Sequence, residues 1–191
     1  MAHAAPPVAR RFDSIHDPGL AERWTRLEES GCVTAFLSLD FARSMEDGLA
    51  PERHGTPFYI AIDDAQSGAP LMIVPLIAET RLGVRRLGFL DYGMVDYHFP
   101  LVDPKACADP QRFLAIRQAF DAALPPHDAL LLCKVIREYR GVPNPLWTED
   151  RLIDTGEGAS RIDLDPDSLE RARRNHSVYP KMAKQLAKLR K

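Results

Sequence analysis

Residues 58–80 read FYIAIDDAQSGAPLMIVPLIAET: an apolar run, a polar turn containing Gly68, and a longer apolar run. Runs rich in Ile, Val, Phe and Tyr, joined by Asp, Ser and Gly, predict two antiparallel strands, 58–62 and 71–80, closed as a β-hairpin. Pro75 has no backbone N–H, so it predicts a bulge or an edge position in the second strand. Downstream, residues 81–102 (RLGVRRLGFLDYGMVDYHFPLV) begin as a further strand and then break into a loop that Pro100 closes. Residues 109–124 read as an amphipathic helix with Phe113, Ile116, Ala119, Phe120 and Leu124 on one face, stopped by Pro125-Pro126. Residues 128–136 (DALLLCKVI) are nearly continuously apolar, the pattern of a strand buried on both faces, with Cys133 a small buried hydrophobe. Residues 137–150 read as irregular or briefly helical. A strand is expected within 151–164, then a helix from Asp165-Pro166 that Pro180 breaks or restarts.

Upstream of the hairpin, Asp17-Pro18 opens a helix with Leu20, Trp24 and Leu27 at helical spacing. A second helix is expected within 34–49, starting near Ser38 or Asp40, with Leu39, Phe41, Ala42 and Met45 inward. The order predicts an α/β (α+β) fold: a mixed, mainly antiparallel sheet with helices on both faces.

Composition sets bounds on this fold. The 191 residues are 45% hydrophobic and 27% charged, which suits one globular domain or slightly more. There is no long apolar run, so no membrane span is expected. Residues 1–17, rich in Ala and Pro at their start, read as a disordered leader rather than a secretory signal. Three widely spaced cysteines give neither a disulfide framework nor metal spacing, and the expected compartment is the cytoplasm. Residues 171–191 hold eight Lys or Arg and no acid, so an acidic body carries a basic end. The acidic body and the proline in the basic helix argue against nucleic acid as partner, because that affinity rests on many phosphate contacts.

The loop at 91–98 is the candidate site. It places Asp91, Tyr92, Asp96, Tyr97 and His98 within eight positions, with Gly88 and Gly93 supplying backbone freedom. Titratable and aromatic groups on a loop between strands suit a pocket rim. The same residues also suit a surface loop with local turn hydrogen bonds. His98 offers an imidazole, a group able to act as a base toward an amine, and equally able to be a structurally bonded side chain. No HExxH, Cys-x-x-Cys, nucleophile elbow, P-loop or dinucleotide fingerprint occurs, and no metal is expected.

Taken in order, several motifs resemble the amino-terminal half of the CelD-like acetyltransferases, a family named for cellulose biosynthesis within the GNAT superfamily. They are also similar to FemAB-type aminoacyl transferases. The motifs are the Trp24/Leu27 helix, the Phe36-Leu37-Ser38-x-x-Phe41 helix entry, and the hairpin with Ile62, Asp63, Gly68, Pro75 and Leu76. The series continues with Leu87-Gly88-Phe89, then Asp96-Tyr97 and Pro100-Leu101-Val102, then Asp128 with Leu130 to Leu132, and finally the basic helix. The resemblance implies one GNAT-like half, residues 18–165, of a tandem protein. In it, residues 166–191 form a basic helix leading into a second GNAT-like domain that this chain does not include. It implies acetyl-CoA or another acyl-CoA as co-substrate, held mainly by that second domain. The acceptor would be an amine or hydroxyl on a small molecule, glycan or peptide of polysaccharide or cell-envelope biosynthesis. The GNAT phosphate loop holds phosphates on backbone N–H groups at a helix N-terminus. Its nearest approach here is Arg85-Arg86-Leu87-Gly88, which lacks the final small residue and leads into a loop. Arg85, Arg86 and Gly88 are thus the candidate cofactor contacts, and Asp91, Tyr92, Asp96, Tyr97 and His98 the candidate acceptor pocket. The other reading is a non-catalytic interaction or scaffolding module of the same fold.

Overall fold

The structure is a computed structural model, and it describes residues 5–30, 32–52 and 54–147. The strand expected within 151–164 and the basic helix of 166–191 lie outside the described residues.

The hairpin forms as its sequence predicts and makes the middle of the sheet. Strands β2 (Thr56–Asp63) and β3 (Pro70–Arg81) pair antiparallel from Thr56↔Ala78 to Asp63↔Pro70. Asp64 organises the turn by accepting from the N–H groups of Gln66 and Ser67 and from the Ser67 hydroxyl. The apolar run of β3 serves two cores, because alternate side chains leave a strand on opposite faces. Met72, Val74 and Leu76 join Phe58, Ile60 and Ile62 on one face, while Ile73 and Ile77 join Tyr59 and Ala61 on the other.

Each face is covered by helices whose starts are written in the sequence. On the second face lies α1 (Pro18–Glu28), where Asp17 accepts from the Gly19 and Leu20 N–H groups and Pro18 occupies the first turn. It buries Leu20, Trp24 and Leu27, and the Trp24 indole donates to the Leu37 carbonyl at 2.9 Å. Beside it, α2 (Leu39–Ser44) is capped by Ser38 and relaxes into a π-turn, Met45–Leu49. That turn presents Glu46 to three donors: the Ser14 hydroxyl (2.6 Å), the Ile15 N–H (2.9 Å) and the Tyr59 hydroxyl (2.7 Å). Burial, together with the hydrogen bond to Glu46, holds the Tyr59 phenol far above its usual range.

Strand β4 (Val84–Phe89) pairs antiparallel with β3, and β5 (Leu101–Val102) pairs antiparallel further along the same edge of β3. Two helices follow, α3 (Pro104–Ala108) and α4 (Pro110–Ala123), each opened by an Asp-Pro pair. Ile116 and Phe120 of α4 reach the first face, and both are fully buried. Strand β6 (Ala129–Leu131) then returns parallel to β4, while β7 (Glu138–Tyr139) and β8 (Val142–Pro143) form a small separate hairpin. With β1 (Val8–Phe12) at one edge, the result is a mixed, mostly antiparallel sheet of order β1-β2-β3-β4-β6 flanked by helices.

Four expectations are corrected. Residues 8–12, assigned to the leader, form β1 (Val8–Phe12) along β2. Arg10 of β1 and Arg23 of α1 both bond the buried Asp63 carboxylate. Pro75 sits neither at an edge nor at the bulge, which falls between Ile62 and Asp63. It stands where the partner of β3 changes from β4 to β5; its carbonyl accepts from Leu90, and no ladder bond is missed elsewhere. The run 128–136 forms a strand only at 129–131, where Leu131 is 47% exposed; the chain then turns at Lys134, which has φ 54°, and Val135 makes only an isolated bridge. Cys133 is therefore exposed rather than buried. Residues 137–150, read as irregular or helical, contain the β7–β8 hairpin, whose turn residues Arg140 and Gly141 both have positive φ.

Candidate functional site

A cleft of about 400 Å³ opens on the α1–α2 face of the sheet, past the point where those helices cover it. Its position follows from register. Pairing of Ile77 with Gly88 and of Glu79 with Arg86 turns these four residues to one face, and pairing of Gly88 with Leu131 adds Leu131 beside them. Gly88 lets β6 approach closely, since a Cβ there would lie 3.3 Å from the Leu131 carbonyl oxygen, tighter than an ordinary contact. Arg86 and Glu79 form an ion pair across the strands. Cys133 and His54 complete this side.

The opposite wall is the expected loop. Asp91, Tyr92, Gly93 and His98 line the cleft. Tyr92 and Gly93 both have positive φ (47° and 80°), which reverses the chain immediately after Asp91 and leaves its carboxylate facing His98. Asp91 accepts from His98 Nε2 at 2.9 Å and from the Gly93 N–H at 3.0 Å. Burial raises the Asp91 carboxyl pKa. The His98 and Gly93 hydrogen bonds, with the nearby charges of His98 and Lys134, outweigh it and hold the group below its usual range.

Three restraints fix the His98 ring. Its face stacks on Phe89 at 4.0 Å between centroids and 9° between planes. Its Nε2 is held by Asp91. Its backbone is clamped in a parallel bridge with Val135, where His98 N–H donates to Lys134 and its carbonyl accepts from Ile136. Lys134 in turn donates from Nζ to the Val95 carbonyl at 2.9 Å, tying the loop to the chain after β6.

The structure thus brings Asp91, Tyr92 and His98 together and leaves two of the expected pocket residues out. Asp96 is exposed and does not line the cleft. Tyr97 packs between Phe36 and Tyr139 on another side of the loop, where burial raises its phenol pKa. Of the candidate cofactor contacts, Arg86 and Gly88 reach the cleft. Arg85, on the other face of β4, is tied by its backbone to Asp128. Among the described residues, the helix starts after β4 offer no open seat for phosphate. Asp103 accepts from the Lys105 N–H, and Asp109 from those of Gln111 and Arg112, so carboxylates already occupy both N-termini. Among the described residues no group of three or more His, Cys, Asp or Glu is arranged to hold a metal, and no helix is long and apolar enough to cross a membrane.

His54, Glu79, Leu131 and Cys133 were not anticipated in the site. Glu79 was within reach of sequence reasoning, because a two-residue turn at Leu82-Gly83 fixes the pairing Glu79↔Arg86. Cys133 and Leu131 carry no such signal, since a parallel pairing is set by no local turn. No family model, curated protein or solved structure matches the chain.

Proposed function

We propose that this chain is the N-terminal half of a GNAT-type acyltransferase that moves an acetyl or other acyl group from acyl-CoA to an amine or hydroxyl acceptor. The setting proposed is polysaccharide or cell-envelope biosynthesis. The observation that carries this reading is the cleft beside β4 and β6, the one parallel pair of the described sheet, with the Asp91–His98 pair on its wall. The element order supports it as well: a strand, two helices, three antiparallel strands, the short β5, two helices, then a strand parallel to β4. The cleft would take the acceptor, which needs orientation against the thioester more than covalent help from the protein. The aspartate-occupied helix starts agree with acyl-CoA being held mainly by a second GNAT-like domain.

Calorimetry with acetyl-CoA tests this reading. Residues 1–191 alone are expected to bind it more weakly than micromolar, and a longer polypeptide that includes the second domain to bind it and release its thiol when an acceptor is present. Absence of binding in the longer polypeptide overturns the acyltransferase reading. Micromolar binding by residues 1–191 overturns the division of labour. The second reading, a scaffolding module, draws on the β3–β4 turn, where Leu82 is 96% exposed at φ 52° and Val84 is 50% exposed. An apolar, conformationally costly tip in solvent suits a docking contact.

A further inference from the structure

We infer that His98 is the proton acceptor for the nucleophile bound in the cleft, with Nδ1 as the accepting atom and Asp91 as its positioning residue. This inference rests on the acyltransferase reading and assigns a chemical role within it. An ionised carboxylate only accepts hydrogen bonds, so the Asp91 contact requires the proton of neutral His98 on Nε2. That leaves the lone pair on Nδ1. Nδ1 has no hydrogen-bond partner among the described residues, and His98 lines the cleft. The other imidazoles with recorded contacts differ. His127 spends its Nδ1 on the Pro125 carbonyl, and His16 pairs with Asp47 in the open, its side chain 54% exposed. His98 alone among these three is at once buried, oriented by a carboxylate and part of the cleft wall, with its second nitrogen unbonded among the described residues.

The stacking on Phe89 and the backbone clamp at Lys134 and Ile136 mean the ring need not reorganise to receive a proton. The charged and titratable groups around the cleft are Asp91, Arg86 with its partner Glu79, His54, Tyr92 and Cys133. As an acceptor amine attacks the thioester carbon, the C–N bond forms and the C–S bond breaks. The amine proton passes to Nδ1 and the CoA thiolate takes a proton from solvent. His98 then returns its proton to solvent.

Two measurements on residues 1–191 test the assignment without acyl-CoA. The first is long-range proton–nitrogen correlation NMR at mildly alkaline pH. It is expected to show His98 as the Nε2–H tautomer with an unprotonated Nδ1, and an Nδ1–H tautomer overturns the inference. The second uses p-nitrophenyl acetate as a surrogate acyl donor. General-base assistance is worth roughly 10²–10⁴-fold with a matched substrate. A loss of at least about tenfold in protein-dependent nitrophenol release is therefore expected for His98→Gln. For Asp91→Asn a smaller loss and an altered pH profile are expected. Wild-type release rates in His98→Gln overturn the inference. The tautomer is read on the unmodified chain, so a variant that fails to fold does not spare the idea. Acetyl-CoA takes no part in either measurement, so these results and the calorimetric ones can fail separately.

Discussion

Glu46 should be the most consequential carboxylate in the α1–α2 half of the core. Its two oxygens serve the Tyr59 hydroxyl, the Ile15 N–H and the Ser14 hydroxyl. Tyr59 and Ile15 are both fully buried, whereas Ser14 is only part-buried and its hydroxyl can turn to water. Glu46→Ala therefore strands two buried donors, at about 1–3 kcal/mol each. Entry of a water into the vacated space would return part of that, so the expected loss is about 3 kcal/mol. Tyr59→Phe removes one donor and leaves the carboxylate two, for a loss of about 1 kcal/mol. In the double variant the phenol is no longer there to be stranded. The two losses should then fall short of additivity by about 1 kcal/mol. Glu46→Gln keeps the shape but retains one acceptor oxygen for three donors and should lie between wild type and Glu46→Ala. Urea denaturation of the four proteins measures the cycle. A loss below about 1 kcal/mol for Glu46→Ala, or additive losses in the double variant, would refute the reasoning.

Three further outcomes are expected. Phe120→Ala, at a fully buried position of α4, should cost about 3–5 kcal/mol in denaturant melts, and a loss under about 1 kcal/mol would detach that helix face from the sheet. Burial pushes the Cys107 thiol up to about 12 and raises that of Cys32, while Cys133 is exposed. A disulfide reagent should therefore titrate one thiol quickly in the native protein and three after unfolding, and mass spectrometry should place the fast label on Cys133. The Asp91 carboxyl is held low in the folded state, so its stabilisation is present above the unfolded carboxylate pKa of about 3.9 and is lost as pH falls through the lower folded value. Asp91→Asn should flatten the decline in urea midpoint below about pH 4, and an unchanged decline would mean that Asp91 gains nothing from His98 and Gly93.

The sequence was most legible where local rules decide structure. The Asp17-Pro18 cap, the Asp109 helix start and the β2–β3 hairpin are read directly, because caps and turns act over a few residues. The leader hid β1 because VARRF is only five residues long with two arginines in its middle, and Arg10 finds Asp63 only once β2 lies beside it. Continuous apolarity misled at 128–136, since hydrophobicity alone does not register the turn at Lys134. In the loop, composition picked out the chemical groups but not their directions. Asp91 and His98 face each other because of two positive φ angles and a bridge to Val135, and Tyr97 turns away because Phe36 and Tyr139 offer it a better packing site. The spacing of the sequence encodes neither contact.

Pro75 acts as a stop signal for its neighbour. Strand β4 can follow β3 only while β3 has both a donor and an acceptor to offer. At Pro75 there is a carbonyl for Leu90 and nothing to give in return. The chain must leave the sheet at that point, and the first residue past it is Asp91. One imino acid on a central strand thus fixes where the neighbouring strand ends and the loop begins. A residue with a free N–H at position 75 would invite β4 to run on and draw Asp91 in beside Val74, up to where β5 takes over the edge at Ile73. The sheet would gain a rung, and the cleft would lose its wall.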